Sequence, residues 1–326
     1  MRCAIHREQH YGIAHARYTI YMLTRHAHGP TTWIDLENPS TEELTLVREE
    51  FNIDPRIEEE LTKPTPYPIQ VSGADYLYLV LHFPTTDPAG GAKSQEVDLI
   101  IGKHFLITSR YEAIESIHGL HRVFEAEELL GLPAKGVHAD VLLERVLQHL
   151  YGAISEEAQT IMHRLERIEK DVFSGRERQT VRAISDVGRV LLRFDTTLSR
   201  HAELLPYFLR ELEHREFFGE NFAVRAGHLE ALREHVAGVI RSYREVASEL
   251  RITNDSLLSA SQNEVMKTLT VISFAVLPST LLVSFFQMNI GGIPFQHEAW
   301  AFYIVLALAF MISVGFIVFS KKKGWI

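Results

Sequence analysis

Between Lys267 and His297 lie 29 consecutive residues without a formal charge, whereas about 20 apolar residues suffice to cross a hydrocarbon core of about 30 Å. A second uncharged, mostly apolar run of 20 residues spans Trp300 to Phe319 and stops at Ser320, Lys321, Lys322 and Lys323. The sequence therefore predicts two transmembrane helices, 266–286 and 300–319, joined by a short loop. Two crossings put both ends of this hairpin on one side of the bilayer. The triple lysine marks that side as cytoplasmic under the positive-inside rule, and Trp300, Tyr303 and Trp325 stand where interfacial aromatics are expected.

Composition matters here mainly through its segregation. The chain is 46% hydrophobic and 23% charged, but the last sixty residues carry very few of the charges, which excludes an ordinary soluble enzyme. The net charge of -9 comes from Asp and Glu spread over the first 265 residues. Nothing in it marks a nucleic-acid-binding surface, and an acidic body is compatible with handling cations. The single cysteine, Cys3, excludes an intramolecular disulfide and fits a domain in a reducing cytoplasm. Residues 1–30 hold Arg2, Arg7, Arg17 and Arg25 without a long apolar run, so no secretory signal is expected. The expected location is the inner (plasma) membrane, multi-pass, with the N- and C-termini cytoplasmic.

Ahead of the hairpin, Tyr18–Leu23, Trp33–Leu36, Tyr76–Phe83, Val97–Ile101 and Phe105–Ser109 read as strands, with a Pro/Gly-rich hairpin loop over 84–92. Two short helices lie between them. Ser40 or Thr41 caps the first, with Leu44, Val47 and Phe51 on one face, and the second spans Pro55 to Leu61. After residue 110 the strand signals vanish. Helical periodicity runs over 112–130, 138–173 and 178–198, and then from about Phe222 onward, with Gly131, Pro133, Ser174, Gly175 and Gly219 as breakers. From Phe222 to Phe286 the only proline is Pro278, so one helix of roughly 95 Å is predicted at about 1.5 Å per residue. The expected fold is an α+β membrane protein: an N-terminal cytoplasmic α/β domain (1–135), a cytoplasmic helical region and stalk (136–265), and the transmembrane hairpin with its basic tail (266–326). The stalk helix continues into the first membrane helix.

Along that helix Asn263, Thr270, Leu277 and Ser284 recur every seven residues, as do Met266, Ser273, Thr280 and Gln287. Together they form a stripe of small, polar or thioether side chains. Ser and Thr commonly serve helix packing in membranes, so the stripe is either a packing face or a pore lining. A pore requires an oligomer, because two helices per chain cannot enclose one. Pro278 fits either reading.

The loop after the first helix, Gln287-Met-Asn-Ile-Gly-Gly-Ile-Pro294, resembles the Gly-Met-Asn signature of CorA-type metal ion transporters. Asn263-Glu-Val-Met-Lys-Thr-Leu-Thr270 is similar to that family's pore entry, Trp33-Ile-Asp-Leu-Glu-Asn-Pro39 to its N-terminal segment, and Lys321-Lys-Lys-Gly-Trp325 to its basic tail. The resemblance implies a homopentamer embedded in the lipid bilayer that transports a divalent metal cation. Asn289 would then stand in the external ring that receives the hydrated ion, where a carboxamide oxygen holds a tightly hydrated cation through its waters. Asn263 would form the inner polar ring, Met266 and Leu277 apolar constrictions, and Thr280 a polar step between them. Gln287 replaces the signature glycine, which alters the backbone freedom available there and adds a carboxamide to the external entrance. Gly291-Gly-Ile-Pro294 is more similar to the zinc transporter branch (ZntB-like), so zinc is placed ahead of magnesium as the transported ion. A membrane-anchored coiled-coil scaffold or sensor without transport is the alternative of a different class.

Other signals carry less. His118 and His121 share a helical face, as do His228 and His235, but neither pair has a third ligand at zinc-site spacing, and solvated histidines are expected. Gly90-Gly-Ala-Lys-Ser94 is similar to the end of a phosphate-binding loop, yet lacks its setting and reads as a hairpin tip. No catalytic motif is found, so neither an enzyme nor a cofactor is expected.

Overall fold

Six strands form one sheet in the order β1-β2-β6-β5-β4-β3. In the computed structural model, which describes residues 23–28, 30–87, 90–130, 138–219, 221–287 and 299–324, these are β1 (Leu23–His28), β2 (Thr31–Glu37), β3 (Gln70–Ser72), β4 (Tyr76–Thr86), β5 (Ala92–Gly102) and β6 (Phe105–Arg110). The β2–β6 pair is parallel and the other neighbours are antiparallel. Successive side chains of a strand alternate between faces, and here both faces are covered. Tyr78, Val80, Ile100, Ile107, Ile34 and Leu36 pack beneath α1 (Thr41–Phe51) and α2 (Pro55–Glu60), whose Leu44, Val47 and Ile57 complete that core. Double coverage explains the unbroken burial of Tyr76 to Leu81. Ser40 caps α1 in a capping box with Glu43.

The expected strand Tyr18–Leu23 lies outside the described residues except for Leu23, where β1 begins. The other four predicted strands fall within β2, β4, β5 and β6, whereas β3 is an addition, held by backbone pairing to β4. The hairpin strands reach further into the Pro/Gly-rich stretch than expected, through Pro84 to Thr86. Pro84 is tolerated because β3 pairs with β4 only at Leu77 to Leu79, leaving the outer edge of β4 open beyond it. Along that edge the carbonyl of His82 accepts from His201 Nε2 (2.9 Å) and the N–H of Thr86 is bound by the Glu157 carboxylate (3.0 Å).

The helices that follow are α3 (Glu115–Leu129), α4 (Ala139–Phe173), α5 (Glu177–His214), α6 (Phe222–Gln287) and α7 (Ala299–Lys322). α5 runs well past Leu198, where its periodicity was expected to end, and passes through Pro206. Leu205, Phe208, Leu209 and Leu212 are all buried, and their packing outweighs a proline cost of about 3 kcal/mol. The chain forms two compact units, Met1–His163 with Asp186–Glu245, and Arg164–Ser185 with Val246–Ile326.

Within the first unit, histidines expected to be solvated are instead structural. His121 of α3 is buried, with Nε2 2.8 Å from Asp35 Oδ2 and Nδ1 2.8 Å from His26 Nε2, and it stacks on Trp33 at 4.4 Å. His118 reaches Glu37 at 2.8 Å. The helical face that carries them therefore docks onto the sheet rather than into water. His201 is also fully buried, accepting from the Tyr151 hydroxyl (2.8 Å). Within the second unit, Leu165 and Ile168 of α4, Ile184 of α5 and Leu250 of α6 are buried. Asn254 of α6 is 1% exposed and accepts a hydrogen bond from Thr180 Oγ1 at 2.8 Å. A buried carboxamide is tolerable because this partner satisfies its oxygen.

Candidate ion pathway

The second half of α6 is the element that the sequence singles out, and its two sides differ. Toward α7 it presents Val271 and Ala275, each 3% exposed, and the half-buried Ser279. Facing them on α7 are Ala309, Ser313 and Phe316. Small side chains let the two backbones approach, and hydroxyls then find carbonyls across the gap. Ser279 Oγ lies 2.9 Å from the carbonyl of Ala309, Ser313 Oγ donates to the carbonyl of Ala275 at 2.9 Å, and the two hydroxyls are 2.8 Å apart. Phe274 stacks on Phe316 at 6.0 Å. This is the packing face of the hairpin.

The heptad stripe lies elsewhere. Asn263, Met266, Thr270, Ser273, Leu277, Thr280, Ser284 and Gln287 are all exposed in the single chain, Met266 and Leu277 at 59% each. With about 3.6 residues per turn, the centre of the stripe is roughly 180° around α6 from the Val271–Ala275–Ser279 face, and the stripe extends over about 36 Å of helix. Within one chain it is therefore exposed and is not part of the contact with α7. The helix is continuous through Pro278, so all eight residues share one surface up to its last residue, Gln287. Asn289, the residue expected at the external entrance, and the Gly291–Pro294 segment lie outside the described residues.

The hydroxyls of the stripe have a definite chemistry. Thr270 Oγ1 donates to the carbonyl of Met266 (2.7 Å), Ser273 Oγ to that of Leu269 (2.9 Å) and Thr280 Oγ1 to that of Val276 (3.0 Å). Each hydroxyl has one proton and two acceptor lone pairs, so the proton is held by the helix and the lone pairs remain available. A row of such oxygens suits a cation or its hydration waters, and Met266 and Leu277 interrupt the row with apolar bulk. Lys267 is the last formal charge of α6. Among the described residues no three His, Cys, Asp or Glu side chains converge on a metal position.

The sequence discloses the stripe, but the heptad recurrence assigns no role to Ser279. Spacing offered a signal, because Val271, Ala275 and Ser279 recur every fourth residue, and so do Ala309 and Ser313. The predicted spans 266–286 and 300–319 fall inside α6 and α7, and Trp300 and Tyr303 are exposed on the first turns of α7.

A family model described as CorA-like Mg2+ transporter protein matches residues 29–322. The cobalt/magnesium transport protein CorA of Thermotoga maritima is 24% identical over 306 residues, covering 90% of this chain and 83% of that protein. Among solved structures, the complete CorA magnesium transporter of Methanocaldococcus jannaschii has a TM-score of 0.79 at 19% identity, covering 91% of this chain and 92% of that one. The ZntB cytoplasmic domain of Vibrio parahaemolyticus has a TM-score of 0.58 at 13% identity, covering 71% of this chain and 89% of that one. At such identities the structural likenesses are likenesses of fold.

Proposed function

The chain belongs to the family of CorA-like Mg2+ transporter proteins, and from that premise we propose that it carries a hydrated divalent cation across a bilayer through a pore lined by the exposed stripe of α6. The carrying observation is that this stripe faces away from α7 and leaves its hydroxyl lone pairs unoccupied. An assembly with one copy of α6 per subunit around an axis would enclose it, and five copies are the reading taken from the family. Asn263 then forms the inner polar ring, Met266 and Leu277 the constrictions, Thr270, Ser273, Thr280 and Ser284 the polar steps, and Gln287 with Asn289 the external entrance. The positive-inside bias of Lys321 to Lys323 supports a reading in which the ends of the hairpin, and with them both termini, are on the cytoplasmic side of the inner membrane.

Magnesium or cobalt is the preferred ion, ahead of zinc. Cobalt and magnesium are named for a relative aligned over 90% of this chain, whereas the zinc-named likeness is a cytoplasmic domain at 13% identity without the pore. The expectation of zinc rests on Gly291–Pro294, and these broader likenesses outweigh four loop residues. The scaffold alternative differs in one measurable respect: a dimer cannot enclose a pore with one lining helix per chain.

The test is uptake of magnesium, cobalt, nickel and zinc, measured side by side in proteoliposomes with and without a pH gradient. Magnesium and cobalt flux that disappears in Asn289→Ala, with assembly intact, supports the reading. Undiminished flux in that variant removes Asn289 from the pathway, and zinc flux far above magnesium restores the zinc assignment.

A further inference from the structure

The contacts within the helical hairpin fix the relative depth of its charged ends. Ser313 meets Ala275 and Ser279 meets Ala309, so the two helices run antiparallel with one register. Lys267 lies eight residues before Ala275, and Lys321 eight residues after Ser313. Both are therefore displaced from the same contact by roughly 12 Å in the same direction. Burial of Val271 and of Ser320 shows that the packing continues to that level. Lys267, Lys321, Lys322 and Lys323 thus form one belt at a single depth, and all four are exposed.

The belt is not neutralised locally. Lys267, Lys321 and Lys322 make no ion pair with any described residue, and Lys323 lies over the Phe319 ring at 6.0 Å. After Asp255 the sequence contains only two acidic residues, Glu264 and Glu298. Glu298 precedes α7 in the sequence and lies outside the described residues. Four lysines against Glu264 leave three net positive charges at this level. Immediately beside them the surface of α7 is apolar and open: Ile317 and Val318 are each about half exposed. Cationic heads above an apolar wall match a molecule with an anionic head and acyl tails, and basic clusters at the end of a membrane helix attract anionic lipid through the same electrostatics. Lysine is suited to this role as a flexible point charge whose stem lies along apolar surface.

We propose that Lys267, Lys321, Lys322 and Lys323 form a binding site for anionic phospholipid headgroups at the inner end of the hairpin. The proposal rests on the placement of α6 and α7 across a bilayer, and not on which cation is carried. The ligand is a lipid rather than a free anion because the adjoining wall offers acyl chains a surface that inorganic phosphate cannot use.

Spin-labelled phosphatidylglycerol and phosphatidylcholine report the test by electron spin resonance on the full-length protein in phosphatidylcholine bilayers. The wild type is expected to select phosphatidylglycerol several-fold in its motionally restricted lipid shell, with the selectivity weakening as salt screens the lysines. Replacing all four with glutamine brings the ratio close to one, replacing them with arginine preserves it, and Lys103→Gln, an exposed lysine of the first unit, leaves it unchanged. No selectivity in the wild type, or full selectivity in the glutamine variant, overturns the proposal. Displacement by inorganic phosphate beyond that caused by chloride at equal ionic strength also overturns it, in favour of a free-anion site. Should the glutamine variant fail to assemble, the salt and phosphate titrations of the wild type decide alone. If the hairpin were not in the bilayer, no motionally restricted lipid would appear at all, which separates that failure from this one.

Discussion

Ser279 and Ser313 bring their hydroxyl oxygens to 2.8 Å in the hairpin, each also within 2.9 Å of a carbonyl of the opposite helix. Two protons serve three contacts, so the hydroxyls act as a coupled pair. Such pairs in membranes contribute about 0.6 kcal/mol on average and up to about 1.7. A double-mutant cycle with Ser279→Ala and Ser313→Ala, read by thermal denaturation in detergent, is expected to give a coupling energy in that range. Strict additivity would show that the contact is incidental. Ser279→Leu is expected to do more harm, because it separates backbones that only small residues allow to touch.

Opposite that pair, the stripe should respond in the reverse manner. Thr280→Val keeps the shape but removes the outward lone pairs, and with them a polar step of about 1 kcal/mol. Cation flux is expected to fall by about fivefold to tenfold while the melting temperature stays nearly constant. Ala275→Leu on the packing face should lower the melting temperature first. If Thr280→Val lowers stability and leaves flux untouched, the stripe is a packing face after all.

In the six-stranded sheet, Asp35 and Arg110 are both fully buried and paired at 2.9 Å. Burial alone would raise the Asp35 pKa, but the hydrogen bond with His121, the Arg110 charge and further bonds from Arg110 and Thr108 outweigh it and hold the carboxyl below its ordinary range. A depressed carboxyl stabilises the fold above its unfolded pKa, and that stability is lost as pH falls through the folded value. Arg110→Met leaves Asp35 buried without its cation and is expected to cost about 3 to 5 kcal/mol. The double change Asp35→Leu with Arg110→Met should recover most of this, as measured by melting of the full chain.

His201 gives a second pH window. Burial pushes its pKa from 6.5 down to about 4, against the opposing hydrogen bond to the His82 carbonyl. Below pH 6.5 the unfolded chain takes up a proton that the folded chain refuses, so stability present above pH 6.5 is lost as pH falls toward about 4. The loss is on the order of 3 kcal/mol. His201→Gln, able to keep both hydrogen bonds, is expected to flatten the decline in melting temperature between pH 7 and about pH 4.5. An unchanged slope would assign the acid sensitivity to other groups.

What could be read beforehand divides along physical lines. Long apolar runs and a 3.6-residue period are properties of one segment, and they foretold α6, α7 and most of the sheet. β3 depends on backbone pairing with β4, which three residues of sequence do not encode. The passage of α5 through Pro206 depends on the burial of its neighbours Leu205, Phe208, Leu209 and Leu212, which is a property of the folded packing and not of the local sequence. The histidines show the same limit: His121 and His201 look like any surface imidazole until Asp35 and Tyr151 arrive from 86 and 50 positions away. For the ion pathway, the heptad recurrence disclosed a polar face of α6. It could not state which face α7 would take, and that choice gives the stripe its significance.

The outer edge of β4 has a consequence of another kind. Beyond β3 its His82 carbonyl is taken by His201, Pro84 has no N–H to offer, and the Thr86 N–H is bound by Glu157. A hairpin this long and apolar would otherwise invite a strand from a neighbouring molecule. With those positions closed, contacts between copies of this domain are steered away from sheet extension, and a protein crowded on a membrane surface is protected from polymerising through its own β4.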